Sequence, residues 1–378
     1  MPSAIYLDHH ATTPVDPRVA AIVMHTMTTA FGNANSTEHI YGEEAAELVA
    51  QARREVGLLL DADPKGVHFT SGASESIRIA LAHAINEHPE RTVHIALTTV
   101  EHRALLDAIA AYEHTGRVIV HWLPVDEYAR LDLAALEHVC SHGVDLVCVM
   151  AANNEVGTIY PIEVVARLAT QTGAKILVDG TQAAGRVPLL SNAFGISYLI
   201  ISAHKMYGPK GVGALIVPPH IEMHGTHEST PNVPGIVGLG EACRLRRLEM
   251  LEDELQIAAK RDKLSSLLQN AIQGLIINGD PENRLSHNLH IAVPEVPNDV
   301  VIARLRRQVA LSSGSACMSG AQTGSHVLRA MRLSTAIQEG SLRLGIGKFT
   351  TDTEIEMAAS YITDAIRATC AALQAVRN

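Results

Sequence analysis

Hydrophobic positions in this chain come in short unbroken runs. Val93-His94-Ile95-Ala96-Leu97, Leu146-Val147-Cys148-Val149-Met150, Lys175-Ile176-Leu177-Val178, Tyr198-Leu199-Ile200-Ile201 and Gly213-Ala214-Leu215-Ile216-Val217 carry the clearest ones. A strand covered on both faces has no polar side, so such runs predict a mostly parallel sheet flanked by helices. Val67-His68-Phe69-Thr70 and Val118-Ile119-Val120 complete seven strands. Helical stretches near 76–84, 104–111 and 162–170 alternate with them, giving an α/β fold. Ligands bind such sheets at the carboxyl ends of the strands. Ser74, His102, Asn154, Asp179 and Lys205 all follow strand ends, so one crevice can hold them all.

The pattern then changes. A long charged helix near 238–273, with Arg244, Arg246, Arg247, Glu249, Glu252 and Glu254, reads as a connector. Beyond it come an apolar run at Leu289-His290-Ile291-Ala292-Val293, a helix near 299–307 and a strand near Val309-Ala310-Leu311. Ser341-Leu342-Arg343-Leu344-Gly345 and a final helix near 354–376 follow. This predicts a smaller α+β domain. The expected division is a large domain over 16–253 and a small one from 1–15 together with 254–378.

Composition supports two cores: the chain has 378 residues, 47% of them hydrophobic. With 19% charged residues, disorder is not expected. The net charge of -10, with no long basic block, argues against direct nucleic-acid binding. No apolar run reaches membrane-spanning length, and Met1 to Asp8 show no signal-peptide pattern, so a soluble cytoplasmic protein is expected. Cys140, Cys148, Cys243, Cys317 and Cys370 are odd in number and widely spaced, which fits a reducing compartment and no metal site. The twenty histidines are scattered, and surface or capping roles are expected for most.

The candidate chemistry starts at Lys205, in Ser202-Ala203-His204-Lys205-Met206-Tyr207-Gly208 after a buried strand. A buried ammonium is costly unless paired or converted. A Schiff base to pyridoxal phosphate (PLP) is one such conversion. Asp179, at the end of the preceding strand, can hold the PLP ring nitrogen protonated. Cys317, in Ser313-Gly314-Ser315-Ala316-Cys317, offers a thiol among small residues. Thr70-Ser71-Gly72-Ala73-Ser74-Glu75-Ser76 is a strand-to-helix turn that suits a phosphate, or an ordinary cap by Ser71 or Ser74. His102 can stack on the ring and move protons, or be structural. Asn154 can serve the cofactor's phenolic oxygen or a substrate carboxylate, or bond within its turn. Gln182 sits near the phenolic oxygen in this reading, and Asp179 has a helix cap as its alternative. Arg343 offers a bidentate fork for a carboxylate, or a surface salt bridge.

These residues carry a resemblance to the cysteine desulfurases, class V aminotransferases of PLP fold type I. The matching stretches begin at Tyr6-Leu7-Asp8 with Ala11-Thr12-Thr13-Pro14, then Gly32-Asn33, His39 and Gly42. They continue through Phe69 to Ser76, Glu101-His102, Asn153 to Gly157, Asp179 with Thr181-Gln182, and Ser202 to Gly211. The last are Ser312 to Cys317 and Arg343 with Gly347. The serine-rich cysteine loop is similar to that of the housekeeping and nitrogenase-type branch. The chain departs from the family at His9-His10, where a small or amide pair is usual, and at Asn33-Ala34-Asn35-Ser36. It departs again at His224 to Thr230, which is shortened and lacks an arginine, and at Met318.

The resemblance implies that Lys205 holds PLP as a Schiff base and Asp179 pairs with the ring nitrogen. Gln182 and Asn154 bond the phenolic oxygen, and His102 stacks on the ring. It implies that Ala73, Ser74, Ser202 and His204 bind the phosphate, with Thr230 reaching the neighbouring subunit's phosphate in a homodimer. Arg343, with Asn154, holds the substrate carboxylate. Cys317 takes sulfur from L-cysteine as a persulfide, leaving L-alanine, and passes it to an acceptor protein. Iron–sulfur cluster assembly, tRNA thiolation and nucleic-acid sulfur modification all stay open as destinations. The alternatives are another fold type I PLP enzyme, such as a selenocysteine lyase or aminotransferase, and a non-catalytic scaffold.

Overall fold

The computed structural model describes residues 4–223, 230–313 and 324–377. After β1 (Ile5–Tyr6), seven strands form the main sheet. They are β2 (Val67–Thr70), β3 (Val93–Thr98), β4 (Val118–Leu123), β5 (Leu146–Met150), β6 (Lys175–Asp179), β7 (Tyr198–Ser202) and β8 (Gly213–Ile216). Their spatial order is β2-β8-β7-β6-β5-β3-β4. Only β8 runs antiparallel to its neighbours, β2 and β7; the remaining pairs are parallel.

The unbroken apolar runs reflect burial on both faces. Val147, Val149, Ile176, Val178, Leu199 and Ile201 pack into one core, and Leu146, Cys148, Leu177, Tyr198 and Ile200 into the other. That is the two-residue alternation of a strand, with both sides apolar. Helices Ala73–Asn86 and Arg103–His114 cover the second face through Ile77, Leu81, Leu105 and Ile109. Helix Ile162–Gln171 covers the first through Val165 and Ala169.

A separate core lies around a three-stranded antiparallel sheet of β9 (Ile276–Ile277), β10 (Asn288–Ala292) and β12 (Ser341–Gly345). β11 (Val309–Ala310) pairs in parallel with β1, which ties the N-terminal segment to this core. The final helix, Asp352–Arg377, contributes Ile355, Ile362 and Ile366.

The long helix runs Val233–Ala271 and starts earlier than the sequence predicts. Asn232 caps it by accepting from Gly235 N–H at 3.1 Å, and Pro234 occupies its first turn, as the fixed φ of proline allows. Its first half puts Ile236, Leu239 and Cys243 into the main core; its second half puts Ile257, Leu264 and Leu268 into the smaller one. Each such large aliphatic contributes about 1.5–3 kcal/mol, against about 0–1 kcal/mol for an exposed ion pair. Apolar burial therefore holds this helix. Arg246 does not belong to a charged outer face. It is buried, donating to Gly185 O at 2.7 Å and Glu254 Oε1 at 2.6 Å and pairing with Asp253.

Candidate active site

The carboxyl ends of β5, β6 and β7 open into a cavity of about 670 Å³. His102, Asn154, Asp179, Gln182, Ser202 and Lys205 line it, as do Ala73, Ser74, His204 and Arg343. These come from four strand ends, a helix N-terminus and the smaller sheet, as the crevice rule predicts.

Lys205 closes a 3-10 turn, Ala203–Lys205, directly after β7. Its Nζ donates to the carbonyls of His10 and Ala11, the latter at 2.9 Å. The N-terminal segment is laced onto this turn: Thr13 N–H donates to His204 O at 2.8 Å, and Thr13 Oγ1 accepts from Tyr207 N–H at 2.8 Å. Tyr207 adopts a φ of 66°, a left-handed conformation that costs a bulky residue energy. These bonds hold the turn and with it the lysine's position.

Asp179 ends β6 and is 6% exposed. Its Oδ1 accepts from Thr181 N–H at 2.9 Å, so it closes a local turn and caps no helix. Gln182 Nε2 donates to His10 O at 3.1 Å. His204 Nδ1 lies 3.2 Å from Thr12 Oγ1, and burial, then Lys205 and Lys210, lowers its pKa to about 4. It is therefore a neutral ring at physiological pH.

The phosphate-like corner is built around Gly72. The helix Ala73–Asn86 begins three residues earlier than predicted, at an N-cap whose φ of 147° and ψ of -178° suit only glycine. No side chain caps it, so neither Ser71 nor Ser74 does so. Glu75 accepts from Ser71 N–H at 2.6 Å instead. Helix amides at such an end attract an anion, and Ala73 and Ser74 face the cavity there.

His102 is the N-cap of helix Arg103–His114. Its Nδ1 accepts from Ala104 N–H at 3.2 Å, which leaves Nε2 to carry the ring proton. Behind it, Glu101 is fully buried. Burial raises its pKa to about 8, against the opposing bonds from Thr98 Oγ1 at 2.6 Å and Met150 N–H at 2.8 Å.

Arg343 makes no surface salt bridge. It is 4% exposed, with Nη2 on Asp8 Oδ1 at 3.0 Å and Nη1 on Asn154 O at 2.9 Å. Thr230 does not line this cavity. It lines an adjoining one, which shares Ser71, Glu75 and Gly211 with the first. Cys317 lies outside the described residues.

Four of the described histidines are exceptions to the surface or capping roles expected for most. His9, His10, His287 and His290 are buried. His10 lines the cavity and stacks on His287 at 4.1 Å between ring centres. Its adjacency to His9 was the only sequence signal. The Lys205 contacts on the His10 and Ala11 carbonyls had none, because a backbone acceptor is invisible in side-chain identity.

A half-buried lysine, an aspartate on the neighbouring strand, an uncapped helix end and neutral imidazoles together fit PLP. The donor set suits its ring, phosphate and phenolic oxygen in turn. The aminotransferase class-V family model matches residues 5–226 and 222–357. A protein named cysteine desulfurase IscS from Anaeromyxobacter dehalogenans (strain 2CP-C) is 38% identical over 375 residues, covering 96% of this chain and 92% of the relative. Among solved structures, a NifS-like protein superposes with a TM-score of 0.88 at 31% identity, over 96% of this chain and 98% of that one. A structure described as SspA in complex with cysteine matches with a TM-score of 0.78 at 26% identity, over 92% of this chain and 100% of that one. The chain belongs to the aminotransferase class-V family.

Proposed function

We propose that this chain is a PLP-dependent cysteine desulfurase, which removes sulfur from L-cysteine and leaves L-alanine. The observation that carries the reading is the single cavity joining Lys205, Asp179 and the uncapped turn at Gly72. The 38% identity to a cysteine desulfurase across nearly the whole chain supports the same activity.

Lys205 would tether the cofactor, with Asp179 on its ring nitrogen and Gln182 and Asn154 at its phenolic oxygen. Ala73, Ser74, Ser202 and His204 would hold its phosphate. PLP bound there supplies an electron sink for charge developing at the substrate's Cα. His102, with its proton on Nε2, would stack on the cofactor ring and could pass that proton. Arg343 binds the substrate carboxylate. Cys317 accepts the sulfur as its thiolate, since the thiol is not the nucleophile.

The sulfur then passes to an acceptor protein. We also propose a homodimer, the commonest closed assembly, with Thr230 directed at the neighbouring subunit's phosphate site, and a large domain over 16–253. The test is incubation with PLP and L-cysteine, followed by quantification of L-alanine. Alanine formation without added keto acid is expected. No alanine, or amino transfer that requires a keto acid, would contradict the reading.

A further inference from the structure

Three buried groups able to donate belong to residues that line the active cavity and have no partner among the described residues: His10 Nδ1, Arg343 Nε and the Thr181 hydroxyl. Native structures rarely leave such groups unpaired, because each loses its hydration without recovering a bond. Here they share one site.

Asn288 settles which His10 nitrogen carries the proton. Its Nδ2 donates to Glu155 O at 2.8 Å, and this fixes the amide's orientation, since a carbonyl accepts only from N–H. The same Nδ2 lies 3.0 Å from His10 Nε2. Nε2 must therefore accept, and the ring proton is assigned to Nδ1. The ring stays neutral: burial first, then the charges of Arg343, Arg186 and Lys205, hold its pKa well below the usual histidine value, against a smaller opposite effect of the Gln182 amide. His287 stacks on its face at 30° and limits its rotation.

His10 is also in the right place. A Cβ at Gly345 would stand 2.9 Å from His10 Cδ2, so the glycine makes room for the ring. Gly345 and Arg343 are two apart on β12 and share one face. Arg343 has already committed Nη1 to Asn154 O and Nη2 to Asp8. Of its five N–H donors, Nε–H is on the one guanidinium nitrogen with no bond among the described residues, and a carboxylate arriving beside it can set its second oxygen against His10 Nδ1.

We propose that His10 is a substrate-binding residue whose Nδ1–H donates to the carboxylate of the bound amino acid, beside Arg343 Nε. Asn288 is then a positioning residue that acts by holding the His10 tautomer. This inference rests on the desulfurase reading and adds to it a residue outside the family's usual set, at a position where the family usually has a small or amide side chain.

The test compares wild type, H10L and H10N as PLP-loaded enzymes with L-cysteine. H10L removes the donor; the asparagine amide nitrogen overlays the Nδ1 position and restores one. H10L should raise KM about tenfold with kcat changed far less, and H10N should recover most of the loss. In wild type labelled with 15N-histidine, the His10 resonances, assigned by their absence in H10N, should report a neutral Nδ1–H tautomer and shift on addition of L-alanine. A wild-type KM in H10L, an Nε2–H tautomer, or no response to alanine would each overturn the inference. If wild type forms no alanine from cysteine, the desulfurase reading fails and this inference with it. An active wild type beside an unaffected H10L sinks the inference alone.

Discussion

The proposed chemistry turns on Lys205. Its ammonium sits under the N-terminal segment and donates to two carbonyls, His10 O and Ala11 O. Borohydride reduction of the PLP-loaded protein should fix the cofactor's mass on the Lys205 peptide, and K205A should lose it. An adduct on another lysine would contradict the assignment. Lys205, Asp179 and His102 are legible in the sequence because each follows an apolar run that can only be a strand. The pairing of Arg343 with Asp8 is not legible. Those two residues are distant in the chain, and only the parallel pairing of β1 with β11 and the edge of β12 bring them together.

At the scale of elements, the turn from β2 into helix Ala73–Asn86 is the most sensitive junction. Gly72 takes a φ of 147° that side-chain-bearing residues avoid. A Cβ at Gly213, on the neighbouring strand, would stand 2.8 Å from Gly72 Cα, so the two glycines let the strand ends approach. G72A should destabilise the fold by about 1–3 kcal/mol in urea unfolding and weaken PLP binding by turning the helix amides away. S71A should stay within about 0.5 kcal/mol of wild type, because Ser71 does not cap the helix. Equal stability and equal PLP affinity for G72A would contradict this account. The strands of the main sheet were readable as unbroken apolar runs. The helix starts at Ala73 and Val233 were not, since Gly72 and Asn232-Val233-Pro234 lack the apolar periodicity that marks a helix interior.

For the whole molecule, the buried imidazoles between the two sheets set the acid limit. Burial holds His9 at about 4 and His290 at about 3, and His10 and His287 lie well below the ordinary value. In the unfolded chain all four take up protons as pH falls through roughly 6.5. Between there and roughly pH 4 the unfolded state binds more protons than the folded one, so stability drops as pH falls. Glu101 at about 8 and Glu155 at about 7 act in the opposite sense, since burial keeps their protons on in the fold. Four imidazoles outweigh two carboxyls, so Tm should be lower at pH 5 than at pH 7, and H287F should narrow that difference. A Tm unchanged or higher at pH 5 would contradict the account. No described helix is long and apolar enough to cross a membrane. The central claim is that sulfur leaves L-cysteine onto Cys317. Peptide mass mapping after exposure to L-cysteine, without reductant, tests it most directly. The Cys317 peptide should gain one sulfur atom in wild type and none in C317S, while Cys140, Cys148, Cys243 and Cys370 stay unmodified. A sulfur adduct on another cysteine, or alanine formation by C317S at the wild-type rate, would contradict it.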